Sequence, residues 1–149
     1  MTEERARAIA SWRYGGDLSM YDGDDDTSAL LDAANGYHAL LDDKGEPAGF
    51  CCFGPDARVP GGDYPDDALD VGLGLRPDLV GHGLGRQAAS AAFDLAGGST
   101  PLRVTVAKFN CRAIRLCEGL GFERTSSFTD PRSGRRFIQL RRPPRADPE

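Results

Sequence analysis

The chain is 149 residues long, 40% hydrophobic and 28% charged, with a net charge of −5. That length suits one domain with its own core, and no apolar run approaches the ~20 residues that cross a bilayer. The acidic balance argues against broad binding to nucleic acid and mildly favours a cationic partner such as an amine. Cys51, Cys52, Cys111 and Cys117, with His38 and His82, match neither a zinc ligand set nor a redox pair, so no metal is expected. The start, MTEERARAIA, lacks the apolar core of a signal peptide, and the expected compartment is the cytoplasm.

Residues 2–14 place Ala6, Ile9, Ala10 and Arg13 at helical spacing behind Thr2, a capping residue type, and predict a helix that stops at Gly15-Gly16. Trp12 and Tyr14 in its last turn read as packing residues, with substrate contact as the alternative. Asp22, Asp24, Asp25 and Asp26 make an acidic loop: a solvated cap for the next helix, or a collar for a cationic substrate. A calcium loop is disfavoured, because the spaced ligands and closing Glu are missing. Residues 27–35 predict a short helix. Residues 36–42 and 47–53 predict an antiparallel hairpin about the turn Asp43-Lys44-Gly45-Glu46, its second strand apolar enough to be covered on both faces. The long Gly-, Pro- and Asp-rich connection 54–67 reads as exposed and delivers Tyr64, Asp66 and Asp67 to the next strand.

Asp70 opens the most informative stretch, DVGLGLRPDLVGHGLGR. Val71, Leu73 and Leu75 alternate with Gly72 and Gly74, which predicts a strand with a bulge or a close backbone neighbour. Arg76-Pro77-Asp78 ends it, Gly81, Gly83 and Gly85 follow at alternate positions, and residues 86–95 predict an alanine-rich helix. A glycine turn feeding a helix start presents unpaired N–H groups at the positive end of the helix dipole, where phosphate is attracted. The turn ends in Gly-Arg-Gln, unlike a Walker loop. Its G-x-G-x-G spacing, with no carboxylate at residues 99–103, departs from the dinucleotide fingerprint. A glycine-capped helix without a ligand is the plain alternative.

Gly97-Gly98-Ser99 closes that helix and residues 102–106 predict a strand. Asn110 then caps a helix on which Ala113, Leu116 and Cys117 share a face, with Gly119 and Gly121 at the exit. A last hairpin, residues 122–128 and 135–140 about a turn at 130–134, precedes a Pro- and charge-rich tail, 141–149, expected to be disordered.

Leu73-x-Leu75-x-Pro77 followed by Gly81-His82-Gly83-Leu84-Gly85 resembles the acetyl-CoA site of the GNAT N-acetyltransferases. Asn110, Ala113 and the closing Gly121-Phe122 resemble the same family's next element, so the likeness covers roughly residues 69–122. It implies an α/β fold of the α+β kind, a central, mostly antiparallel mixed sheet flanked by helices, in a single domain over residues 1–142 with a tail at 143–149. The implied reaction moves an acetyl group from acetyl-CoA to a primary amine of a small molecule or protein by direct attack. The implied cofactor contacts are the backbone of Leu73, Gly74 and Leu75, freed by a bulge, for pantetheine and the thioester carbonyl. Main-chain N–H groups of Val80, Gly81, His82, Gly83, Leu84, Gly85 and Arg86 would hold the diphosphate, and Asn110 the pantetheine arm.

An ammonium must lose a proton before it attacks, which makes Asp70, then Asp67, the expected base. Two positions depart from the family pattern. Val80 offers no polar side chain where members often carry Gln or Arg. Cys117 stands where many carry the Tyr that protonates the departing thiolate, so it is either a weak acid or helix-core packing, with Tyr64 or Tyr21 as substitutes from a loop. These departures leave a catalytically silent acyl-CoA-binding module, or an unrelated nucleotide binder, as alternatives. The acceptor is expected to meet the first helix, the acidic loop and the connection 54–67. Neither nucleic acid nor a membrane is an expected partner, and the sequence carries no signal of oligomeric state.

Overall fold

The computed structural model describes residues 1–145. Its strands, β1 (His38–Leu41), β2 (Pro47–Phe53), β3 (Leu69–Leu75), β4 (Leu102–Ala107), β5 (Glu123–Thr129) and β6 (Arg136–Arg142), form one mixed sheet in the order β1-β2-β3-β4-β6-β5. The helices are α1 (Glu3–Ala10), α2 (Ser28–Leu31), α3 (Gly85–Ala96) and α4 (Cys111–Gly119). Two compact units divide the chain, one made of residues 1–52 and 73–92, the other of residues 53–72 and 93 onward.

In the first unit Thr2 Oγ1 accepts the Arg5 N–H, and α1 buries Ala6, Ile9 and Ala10. The helix is shorter than the spacing predicts because the acidic loop takes its final carbonyls: Asp25 N–H donates to Ala10 O at 3.0 Å and Gly23 N–H to Trp12 O at 2.9 Å. Tyr14 N–H in turn donates to Asp22 Oδ1 at 2.6 Å, so Trp12, Arg13 and Tyr14 leave the helix as a connecting segment. The loop also supplies the next cap. Asp26 Oδ1 accepts from the Ser28 N–H and hydroxyl at 2.9 and 2.6 Å, the capping expected of the acidic loop. The predicted helix over 27–35 is broken at Asp32, whose extended backbone separates α2 from a 3₁₀ turn at Ala33–Asn35. Strands β1 and β2 pair antiparallel, with an irregularity between Leu40 and Leu41. On β3, a Cβ at Gly74 would overlap the Phe50 ring, which is the close neighbour that the glycine signals.

In the second unit β3 pairs with β4 in parallel at Leu69↔Leu102 and Asp70↔Arg103. Strands β4 and β6, and β5 and β6, pair antiparallel, the latter with a shift between Arg124 and Ser126. Asn110 Oδ1 accepts the Ala113 N–H at 3.3 Å and opens α4, which buries Ile114 and Cys117 rather than Ala113 and Leu116. The Phe93 and Phe122 rings meet at 4.8 Å, and the Arg142 guanidinium lies 5.2 Å from each ring centre.

The connection 54–67 is fastened rather than loose: it contains a 3₁₀ turn at Pro55–Ala57, and Gln139 Nε2 donates to Asp63 O at 3.0 Å. Part of the expected tail is likewise ordered. Arg141 and Arg142 end β6, and Arg145 pairs with Asp94 at 3.1 Å while its N–H donates to Gly98 O. Residues 146–149 of that expectation lie outside the described residues.

Candidate functional site

The glycine turn belongs to the first unit. After β3, Pro77–Leu79 makes a 3₁₀ turn, Val80 is extended, and Gly81 and Gly83 take φ of 84° and 76°, values that a side chain resists. Of the N–H groups expected to bind diphosphate, two are already engaged: Val80 donates to Pro77 O and His82 to Leu79 O, both at 3.3 Å. Those of Gly81, Gly83, Leu84 and Gly85 have no acceptor among the described residues. The first bond of the helical ladder starts only at Ala88 N–H, which reaches Leu84 O at 3.1 Å. A Cβ built on Gly83 would meet no atom within 4 Å, so the space over the turn is open. Unpaired donors, positive φ and open space at the start of a three-turn helix suit an anionic group such as a diphosphate.

At the other end of this stretch the Tyr14 hydroxyl donates to Leu75 O at 2.6 Å. Burial, with Asp22 nearby, pushes that hydroxyl up to about 12, so it serves as a fixed donor and not as a proton source near neutrality.

The expected catalytic side chains belong to the second unit, and most are committed to structure. Asp70, the expected base, is 2% exposed. Arg103 Nε and Nη2 donate to its two oxygens at 2.6 and 2.9 Å, and Arg58 Nε adds a third bond at 2.8 Å. Arg103, itself 1% exposed, is raised by the Asp70 hydrogen bond despite its burial. Three of the roughly four lone-pair sites of this carboxylate are thus taken by two guanidiniums, and the geometry is that of a structural ion pair.

Tyr64 joins the same cluster. Its hydroxyl accepts the Val59 N–H at 3.0 Å and shares a proton with Thr105 Oγ1 at 2.8 Å, while the Arg103 and Arg58 guanidiniums lie 5.0 and 5.6 Å from its ring centre. Asp67 is exposed and takes both its bonds from Arg141 Nη1, at 3.1 Å each. Cys117 is 3% exposed, and burial, with Glu118 adding to it, pushes its thiol up to about 11. That makes it less acidic than an ordinary thiol, at ~8.5, and a poor donor to a departing thiolate. Its packing role is the one the structure displays. Asn110 spends its side-chain oxygen on the α4 cap.

Arg103, Arg58 and the Tyr14–Leu75 bond are absent from the sequence expectations. A signal existed for Arg103: a charged residue within the apolar run Leu102-Arg-Val-Thr-Val calls for a buried counter-charge. Among the described residues no three His, Cys, Asp or Glu side chains group to hold a metal, and no helix is long and apolar enough to cross a membrane.

The sequence profile of the Acetyltransferase (GNAT) family matches residues 4–122. No curated protein sequence matches the chain. Among solved structures, a Bordetella pertussis protein assigned to the GnaT-family acetyltransferases is similar at 24% identity and TM-score 0.69, over 93% of this chain and 88% of that one. A protein assigned as a phosphinothricin N-acetyltransferase is similar at 14% identity and TM-score 0.72, over 98% and 96%. A point variant of the Vibrio cholerae spermidine N-acetyltransferase is similar at 16% identity and TM-score 0.66, over 95% and 89%. At these identities the structural likenesses speak for the fold, while the profile covers well over half of the chain and supplies the family. The chain belongs to the GNAT family of acetyltransferases and is, as a member, an acyltransferase.

Proposed function

We propose that the chain transfers an acetyl group from acetyl-CoA to a primary amine of a small molecule or protein, as a single domain over residues 1–142 acting in the cytoplasm. The observation that carries this reading is the set of main-chain N–H groups at Gly81, Gly83, Leu84 and Gly85, without acceptors among the described residues, with open space at Gly83. These donors bind the diphosphate of the coenzyme, and Arg86 adds charge beside them. The backbone of Leu73, Gly74 and Leu75 orients pantetheine and the carbonyl, and Asn110 the pantetheine arm. Acetyl-CoA supplies the activated thioester carbonyl. The amine gives its proton to water, directly or by way of Asp67, while Asp70 holds the second unit together.

The burial of Cys117 favours a second reading, a catalytically silent acyl-CoA-binding module. CoA thiolate is a stable leaving group, so the first reading needs no dedicated acid. A thiol-release assay with acetyl-CoA across amines separates the two: the transferase releases CoA, whereas the silent module is protected against heat by acetyl-CoA and releases none. Gly83→Glu places a carboxylate where the diphosphate would sit and is expected to abolish thermal protection by acetyl-CoA. Gly83→Ala carries the same backbone strain, about 1–2 kcal/mol, without the charge. Unchanged acetyl-CoA affinity in Gly83→Glu refutes the assignment of this turn.

A further inference from the structure

The first unit contains a cavity of about 150 Å³ that none of the roles above uses. Five aromatic rings line it, those of Trp12, Tyr14, Tyr21, Tyr37 and Phe50. The rings fix one another: Trp12 and Tyr37 lie 6.1 and 6.0 Å from Phe50, and Tyr14 meets Tyr21 edge-on at 6.4 Å. Asp24 and Asp26 complete the wall. One oxygen of each is spent inside the loop, Asp24 Oδ1 on the Asp26 N–H and Asp26 Oδ1 on Ser28. The second oxygen of each has no partner among the described residues. No Lys or Arg lines the cavity, and the nearby Arg13 guanidinium is spent on Asp25, Ala10 O and Trp12 O.

Aromatic faces and unpaired carboxylates attract the same ligand, an organic cation. The volume is smaller than the ~300 Å³ at which sites for drug-sized molecules begin, so it admits a short chain and excludes a nucleotide or a fused ring system. We propose that this cavity binds the ammonium end of a short alkylamine, with the alkyl part against the rings and the charge against Asp24 and Asp26, and that it is the acceptor pocket of the enzyme. The acceptor role rests on the acetyltransferase reading; the binding of the cation does not. Tyr14 connects the two, since its ring lines the cavity while its hydroxyl holds Leu75 O at the end of β3, the strand assigned to the thioester.

Trp12 is the only tryptophan of the chain, so its fluorescence reports on this wall alone. The test is a titration without acetyl-CoA, at constant ionic strength, with n-butylamine and 1,4-diaminobutane against n-butanol and butyrate. The amines are expected to give a saturable change and the alcohol and acid to bind at least about tenfold more weakly, the size of one charge-assisted contact. The double variant Asp24→Asn, Asp26→Asn is expected to lose about the same factor for the amines and to keep its thermal midpoint, since Asn caps a helix as well as Asp does. Butanol binding within twofold of butylamine overturns the proposal, as does an unchanged amine affinity in the double variant. The transfer reading is tested separately. Acetylation of these amines with a KM unmoved in the double variant removes the pocket and leaves the transferase standing. Amine binding without any CoA release supports the pocket as a cation site and removes its acceptor role.

Discussion

Replacing Asp70 by Asn separates a structural carboxylate from a catalytic one. In the native chain three charge-assisted hydrogen bonds of 2.6 to 2.9 Å converge on Asp70, and both Asp70 and Arg103 are shielded from water. Removing one partner of a buried pair costs about 3–5 kcal/mol, because the other charge stays buried without compensation. Asn keeps the shape and one acceptor oxygen, so about 3 kcal/mol is expected for Asp70→Asn, a large part of the ~5–15 kcal/mol that holds a typical domain. At ~2–4 °C per kcal/mol for a chain of this size, the thermal midpoint falls by roughly 6–12 °C. Urea titrations of Asp70→Asn, Arg103→Met and the double variant complete the cycle. The double variant is expected to cost at least about 1 kcal/mol less than the sum of the singles, because it no longer strands a charge. A midpoint within about 2 °C of the wild type, together with lost turnover, refutes this reasoning and returns Asp70 to the role of base.

Gly74→Ala pushes a methyl into the Phe50 ring and is expected to destabilise by about 1–3 kcal/mol; pairing it with Phe50→Leu is expected to recover part of the loss in a denaturant titration. A chromogenic disulfide reagent is expected to modify one thiol quickly in the native protein, the exposed Cys111. Cys51, Cys52 and Cys117 react only after unfolding, and a second fast thiol contradicts the packing described. Tyr14 favours its neutral form in the fold, with a pKa of about 12 against 10.0. Its contribution to stability is therefore complete below pH ~10 and is lost as pH rises toward ~12, by about 1 kcal/mol once its partial exposure is discounted. Tyr14→Phe is expected to flatten that alkaline limb of the stability profile, and an unchanged limb rejects the assignment.

What the sequence makes legible follows the range of the forces involved. Pro47–Phe53, the helix after the glycine turn and the cap at Asn110 depend on local signals, and the structure has them within a residue or so of where those signals place them. The glycine turn is equally local, since a chain reversal with positive φ at Gly81 and Gly83 leaves its mark in the residues themselves. Asp70 is different. At the head of an apolar strand it reads as the expected base, and only its register opposite Arg103, 33 positions away, reveals it as half of a buried pair. The early end of α1 has the same origin, because the donors that capture Ala10 O and Trp12 O come from the loop at Gly23 and Asp25. The aromatic cavity draws on α1, the acidic loop, Tyr37 and Phe50, a convergence that no local pattern encodes.

The two outermost strands share a feature with a consequence for the molecule in a crowded solution. Strand β1 is four residues long and slips register between Leu40 and Leu41, and β5, mostly polar, slips between Arg124 and Ser126. An intruding peptide that began to hydrogen-bond along either margin would meet a break after a few residues. It would find no long flat ribbon on which to template. Both margins are thereby ill suited to edge-on growth into fibres.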